Sequence, residues 1–310
     1  MDRRRLGASG IDVSALSLGS WRTYERIPRE RALAVMAAAR EAGIDFLDDA
    51  RYGAGGDGRS ELLFGELFRA AGWRRDAVVV ANKLWWEFWP EQTAMQELDG
   101  SLERMGLDYL DLEYSAPPPE GLAVAAVVRA NAELIASGKL RAWGVLNWPA
   151  HLIAEAVRVA RAERLPAPCA AQLRYGLVDR SSVEDPAMAA ALKAADASVV
   201  ASASLAFGAL SGKYAAAGAE GRIAGELDDP QWAGALAAAE PLGALAARLG
   251  VAPATLAYAF ALAGPSVASV VFGATRPEQV AENVAAVGLL DRLADAAVAE
   301  LAQVGRPLSV

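Results

Sequence analysis

Ala77-Val78-Val79-Val80-Ala81-Asn82-Lys83 is an apolar run that stops on a cation. Three consecutive valines with no polar residue between them describe a strand buried on both faces, the habit of a parallel sheet covered by helices. Val270-Val271-Phe272, near the other end of the chain, reads the same way. Around the runs at 77–83 and 267–273 lie others at 15–19, 44–48, 109–114, 141–147, 170–175 and 198–204. Helix-period segments separate them near 29–42, 60–71, 92–105, 121–137, 150–163, 186–195 and 277–287. Neighbouring parallel strands need right-handed helical crossovers. Eight such units close most simply into an α/β fold of the (β/α)8 TIM-barrel type, with an open doubly wound sheet as the rival. The start, Arg5 to Val13 with a Ser9-Gly10 turn, reads as a β-hairpin ahead of the first barrel strand. No low-complexity linker interrupts the pattern, so residues 1–310 are expected to form a single domain.

The 310 residues are 54% hydrophobic, enough for one large core, and carry a net charge of −8. With no basic stripe beyond Arg3-Arg4-Arg5, a nucleic-acid partner is not expected. The chain has one cysteine, Cys169, and one histidine, His151. These rule out an internal disulfide, leave no His/Cys cluster for a metal, and suit a cytoplasmic enzyme. Met1-Asp2-Arg3 leads into a Gly/Ser turn rather than an apolar signal segment. The uncharged run from Val251 to Ala274 is long enough to span a bilayer, but Gly264-Pro265 splits it into a helix-like and a strand-like half, so no membrane partner is expected. Ala215 to Asp229 has no clear period and is expected to be a mobile loop.

The runs at 44–48 and 77–83 would place Asp48 and Lys83 at the ends of adjacent strands, with Tyr52 in the loop above. A phenol donates a proton near neutral pH only if a cation stabilises its anion, and a carboxylate can hold that cation. That is the arrangement of a proton donor in carbonyl chemistry. A surface ion pair beside a turn tyrosine fits the same residues. Gly53-Ala54-Gly55-Gly56-Asp57-Gly58 matches a dinucleotide fingerprint, but the second strand ends in Lys83 where that motif needs an acid. Gly273-Ala274-Thr275-Arg276-Pro277-Glu278-Gln279 is the better phosphate candidate. Thr275 and Glu278 have capping-box spacing, Pro277 suits a first turn, and Arg276 adds a guanidinium. Trp85, Trp86, Phe88 and Trp89 follow Lys83 and either line a substrate pocket or pack against a neighbouring loop or subunit.

In conjunction these residues resemble the aldo-keto reductases, particularly the branch that includes the potassium-channel beta subunits. The resemblance rests on Leu6-Gly7-Ala8-Ser9-Gly10, Leu18-Gly19-Ser20-Trp21, Asp48 with Tyr52-Gly53, Ser60-Glu61, Lys83 and Gly144-Val145-Leu146-Asn147-Trp148. It continues through Gln172 with Tyr175, Leu205, Leu210-Ser211-Gly212-Lys213-Tyr214, and Gly273-Ala274 with Gln279, Glu282 and Asn283. It implies a (β/α)8 barrel that binds NADPH/NADP+ without a Rossmann motif and reduces a small-molecule substrate. It assigns catalytic roles to Asp48, Tyr52 and Lys83, with Tyr52 as the acid. It implies cofactor contacts at Ser20, Trp21, Asp48, Asn147, Gln172, Leu205, Gly208, Lys213, Arg222, Gly273, Thr275, Arg276, Gln279, Glu282 and Asn283, and a substrate pocket at Trp21, Trp85, Trp86, Trp89 and Ala116. Arg276 implies NADPH over NADH.

The chain departs from the family's pattern in four places. Ala116, or Ser115 if the alignment slips by one, stands where relatives carry the fourth catalytic residue, a histidine. Asp48 and Tyr52 are one residue closer than in most relatives. Leu146 replaces a serine that contacts the nicotinamide amide, and Ser202 replaces an aromatic that stacks on its ring. The resemblance therefore implies either a reductase of carbonyls, imines or conjugated alkenes, or an NADP(H)-holding regulatory protein with little catalysis. A homo-oligomer is left open.

Overall fold

The computed structural model describes residues 1–49, 51, 58–216 and 218–305. Tyr52 and the glycine segment to residue 57 lie outside the described residues. Two short strands, β1 (Arg3–Arg5) and β2 (Asp12–Ser14), pair antiparallel as the expected hairpin. Eight strands then form a closed parallel barrel: β3 (Leu16–Gly19), β4 (Phe46–Asp48), β5 (Val79–Leu84), β6 (Leu110–Ser115), β7 (Leu140–Leu146), β8 (Ala170–Arg174), β9 (Ser198–Ser202) and β10 (Val267–Phe272). Each pairs with its sequence neighbours, and β10 returns to β3 through Val270 opposite Leu16. The open-sheet rival is thereby excluded.

The helices that cover the barrel are α1 (Arg29–Glu41), α2 (Arg59–Ala70), α3 (Ala94–Met105), α4 (Val124–Ala136), α5 (Ala150–Glu163), α6 (Ser181–Glu184), α7 (Pro186–Ala195), α8 (Pro230–Leu249), α9 (Pro253–Leu262), α10 (Pro277–Val284) and α11 (Asp295–Gln303). Their starts follow local chemistry. Thr93 and Gln96 make a reciprocal capping box at α3, and Gly106 at φ +66 ends that helix. The Asp185 carboxylate accepts from the Ala187 and Met188 amides ahead of α7, whose first residue is Pro186. The sequence pattern did not reveal α8 and α11. Both are alanine-rich, and alanine reports helix propensity without marking a face.

Two apolar layers result. One fills the barrel with Phe46, Val79, Ala81, Leu112, Tyr114, Ala170 and Val200, and the hairpin residues Leu6, Ile11 and Val13 join it from below. The other lies between barrel and helices. The hairpin closes the N-terminal end, where Gly7 adopts φ +50 and a Cβ there would lie 2.2 Å from the Cys169 carbonyl and 2.4 Å from that of Asp196. No side chain fits at that position. With the bottom plugged, the open end is the C-terminal mouth, where barrel enzymes carry their sites.

Val251 to Ala274 divides as expected into α9 and β10. Among the described residues, no single helix is long and apolar enough to cross a membrane.

Candidate functional site

Asp48 ends β4 and Lys83 lies near the end of β5, in the register that pairs Asp48 with Ala81. The side chains meet. Lys83 Nζ donates to Asp48 Oδ1, and to the Asp49 carbonyl at 2.8 Å, while Gln172 Nε2 from β8 donates to Asp48 Oδ2 at 2.8 Å. Both charged side chains are almost wholly buried, at 3% and 6% exposed. A buried ion pair needs its remaining lone pairs and protons satisfied, and Gln172 and the Asp49 carbonyl do this. Among the described residues, two acceptors take ammonium protons, and an ammonium carries three.

This pair opens on a cavity of about 220 Å³ at the C-terminal mouth. Gly19, Asp48, Lys83, Leu146 and Gln172 contribute the strand ends of its wall. Trp21, Trp85 and Phe207 supply aromatic surface, and Asn147, Arg174, Ser202, Arg222, Val271 and Gly273 complete most of the rest. Phe207 and Arg174 were not singled out from the sequence. Phe207 sits in a 3-10 turn (Ala206–Ser211) with φ 55, and its ring meets Trp21 edge-on at 5.5 Å and Trp232 of α8 at 5.3 Å. It provides the aromatic wall where Ser202 supplies none. No local sequence signal marks a left-handed phenylalanine.

The aromatic run after Lys83 separates, and two of the three tryptophans expected in the pocket do not line the cavity wall formed by the described residues. Trp85 faces the cavity, but Trp86, at φ 60, turns outward and is buried in the layer between barrel and helices. Its Nε1 donates to Ser115 Oγ at 2.9 Å. Trp89 packs against the same outer layer, with its ring 3.4 Å from where a Cβ on Gly121 would stand. The turn is fixed by Glu97 of α3, whose two carboxylate oxygens accept from the amides of Trp85 at 2.7 Å and Trp86 at 3.1 Å. Arg51 adds a second tie, pairing with Glu87 and placing its guanidinium 5.5 Å from the Phe88 ring centroid.

Ala116 follows β6, is buried, and is not part of the cavity wall formed by the described residues. Ser115 offers no donor to the cavity. Its hydroxyl accepts from Trp86 and donates to the Ala116 carbonyl at 3.3 Å, on the side away from the barrel interior. Tyr114, the inward neighbour, is fully buried with its ring centroid 5.6 Å from Lys83 Nζ, and burial followed by the charge of Asp48 raises its pKa well above that of a free phenol.

Ser20 spends its hydroxyl on Asp49. Arg222 donates to the Trp21 carbonyl at 2.8 Å and Thr23 Oγ1 at 3.0 Å, and burial lowers its pKa. It ties the 215–229 segment to the barrel, a role that the expectation of a mobile loop did not foresee. Tyr214 Oη also accepts the Ile223 amide at 3.3 Å. Gly273 leaves room for Arg222, since a Cβ there would stand 2.7 Å from its Nη2. Leu205 precedes the Phe207 turn and does not line the cavity. Gly208 and Gly221 flank Lys213, whose Nζ would lie 3.2 Å and 2.5 Å from Cβ atoms at those positions. Among the described residues neither Lys213 nor Arg222 has a carboxylate partner.

Beyond Gly273, α10 begins at Pro277, so its third residue is Gln279 rather than Glu278. The Gln279 side-chain oxygen accepts from the amides of Thr275 at 2.7 Å and Arg276 at 3.2 Å and from Thr275 Oγ1 at 3.2 Å. The expected Thr275–Glu278 box is therefore a Gln279 box, and those two amides are not free for an anion. Arg276 and Glu282 are exposed and Asn283 is buried on this helix, outside the cavity wall.

The family model described as "Aldo/keto reductase family" matches residues 15–306. The chain is 34% identical to a protein of Oryza sativa subsp. japonica named "Probable voltage-gated potassium channel subunit beta", over 94% of this chain and 93% of that one. It is 32% identical to a "Putative voltage-gated potassium channel subunit beta" of Schizosaccharomyces pombe, over 94% of this chain and 89% of that one.

Proposed function

The chain belongs to the aldo/keto reductase family, and from this premise we propose that it is an NADPH-dependent oxidoreductase reducing a carbonyl, imine or conjugated alkene of a small organic substrate. The observation that carries the reading is the buried Asp48–Lys83 pair at the floor of the cavity. An ammonium held from one side by a carboxylate and a backbone carbonyl favours the anion of a phenol brought to its other side. Tyr52, three residues beyond Asp49, is the proposed proton donor, and Asp48 holds Lys83 rather than reacting itself.

The donor set suits a dinucleotide. Arg222 and Lys213 are cations without carboxylate partners among the described residues, and Gly208, Gly221 and Gly273 leave the space beside them clear. These residues, with the exposed guanidinium of Arg276, would hold phosphate. Asn147 and Gln172, near Lys83, would hold the reactive end. When bound, the cofactor supplies the hydride. Trp21, Trp85 and Phe207 exclude water around the reacting carbon, and Lys83 and Tyr52 manage the proton.

A second reading is favoured by two observations: neither Ser115 nor Ala116 offers a side-chain donor to the cavity wall formed by the described residues, and the relatives are named as channel subunits. In it the chain holds NADP(H) as a regulatory partner and turns over slowly. Losing one donor to a developing oxyanion costs about a hundredfold to a thousandfold in rate. Steady-state NADPH oxidation across aldehydes, quinones, imines and enones separates the two. Turnover of any class above the no-substrate rate supports the reductase; tight NADPH binding with no turnover of any class refutes it in favour of the second reading.

A further inference from the structure

Among the described residues, four charged side chains line the cavity: Asp48, Lys83, Arg174 and Arg222. One acid therefore faces three bases, in a chain whose net charge is −8. Asp48 accounts for Lys83. Arg222 lies beside Gly273, at the end that the proposed function gives to phosphate. Arg174 remains, and it lies elsewhere. It is the last residue of β8, two positions after Gln172, so both side chains fall on one face of the strand, about 7 Å apart along it. It stands above the reactive end rather than the phosphate end.

The side chain is partly committed and partly open. Arg174 Nε lies 2.9 Å from Asp179 Oδ2, and the guanidinium carbon is 5.5 Å from the Phe207 ring centroid. Among the described residues, neither terminal nitrogen donates to a protein acceptor. With its side chain 47% exposed at the mouth, it presents a planar two-pronged donor beside an aromatic wall formed by Phe207 and Trp21. A guanidinium edge matches the two oxygens of a carboxylate, whereas an ammonium would offer only a point charge. The Phe207 ring lies beside the guanidinium without consuming its terminal donors.

We propose that Arg174 is the specificity-determining residue of this cavity and recognises a carboxylate on a substrate with an aromatic or similarly flat apolar body. The turnover arm of the test rests on the reductase reading; the binding arm does not. In the binding arm, benzoate and its neutral isostere benzamide are titrated calorimetrically into the full-length protein, with and without NADP+. Benzoate is expected to bind at least about tenfold more tightly than benzamide, a discounted figure for a half-exposed charge-assisted pair. Arg174→Gln should reduce that preference to within about twofold, and Arg174→Lys should leave an intermediate value. In the turnover arm, the kcat/KM ratio of 4-carboxybenzaldehyde to methyl 4-formylbenzoate should follow the same order across the three proteins. If Arg174 only braced Asp179 and Phe207, its loss would weaken both members of each pair together and leave the ratios unchanged. No benzoate preference in the wild type, including no binding of either ligand, overturns the proposal, and so does a preference that survives in Arg174→Gln. A binding preference without turnover of either aldehyde removes the reductase reading and supports the carboxylate site. Turnover without any carboxylate preference does the reverse.

Discussion

Replacing Asp48 by asparagine should be among the most damaging single changes in the barrel, because it leaves Lys83 as a buried cation without a counter-charge. Lys83 is 3% exposed, and its other acceptor is the neutral carbonyl of Asp49. Breaking a buried pair by removing one partner costs about 3–5 kcal/mol. Weakening the Gln172 bond from a charged to a neutral acceptor adds about 1 kcal/mol. Urea unfolding followed by tryptophan fluorescence reads this directly, since the eight tryptophans lie throughout the structure. At a slope of about 3 kcal/mol per molar urea, the midpoint should fall by more than about 1 M. The diagnostic comparison is the cycle with Lys83→Met. The single Lys83→Met leaves the Asp48 charge buried and should also cost several kcal/mol, whereas the double variant contains no buried charge. It should therefore be destabilised by clearly less than the sum of the two single changes. Additive losses would refute the reading of Asp48 and Lys83 as a mutually compensating pair.

Glu113 on β6 is fully buried, neither carboxylate oxygen has a hydrogen-bond partner among the described residues, and burial, then the nearby Glu97 and Glu61, raises its pKa well above the usual value. The folded state then holds a proton that the unfolded chain releases, so this group's contribution to stability falls as pH rises from about 4.3 toward the folded pKa. Glu113→Gln should accordingly be near neutral at pH 4 to 5 and stabilising by on the order of 1–3 kcal/mol at pH 8 in paired melts, and a pH-independent difference contradicts this. Gly273→Ala should push Arg222 from its place and weaken NADPH binding about tenfold in a fluorescence titration, with little change in melting temperature; unchanged affinity counts against the phosphate assignment. Gly7→Ala should destabilise by about 2–4 kcal/mol in denaturant titrations, because a β-carbon collides with two carbonyls in a left-handed backbone, and a loss under 1 kcal/mol would be inconsistent with the described plug.

The barrel was legible because its strands are buried on both faces and so read as unbroken apolar runs, Val79-Val80-Ala81 and Val270-Val271-Phe272 being the clearest. The approach of Asp48 to Lys83 followed from strand ends alone, since neighbouring parallel strands bring their C-terminal residues to one rim. Directions in the loops were not legible. Trp85 and Trp86 are adjacent and chemically identical, yet one faces the cavity and the other the outer layer. The difference is set by a left-handed backbone at Trp86 and by the Glu97 carboxylate 11 residues away from it in sequence. Phe207 gains its place only through the 3-10 turn after β9, which brings its ring to the cavity wall. Gln279 displaced Glu278 as the capping partner because the helix began one residue later than the Thr275 spacing implied.

The central claim is that the cavity performs proton-coupled hydride reduction, with Tyr52 as the acid beside Lys83. A single-turnover measurement tests it most directly, using NADPH-loaded wild type and Tyr52→Phe mixed with an aldehyde or enone that the wild type reduces, with cofactor binding measured separately by fluorescence. The account predicts that Tyr52→Phe binds NADPH within about threefold of the wild type while its oxidation rate falls by at least about a hundredfold. An oxidation rate equal to that of the wild type would contradict it.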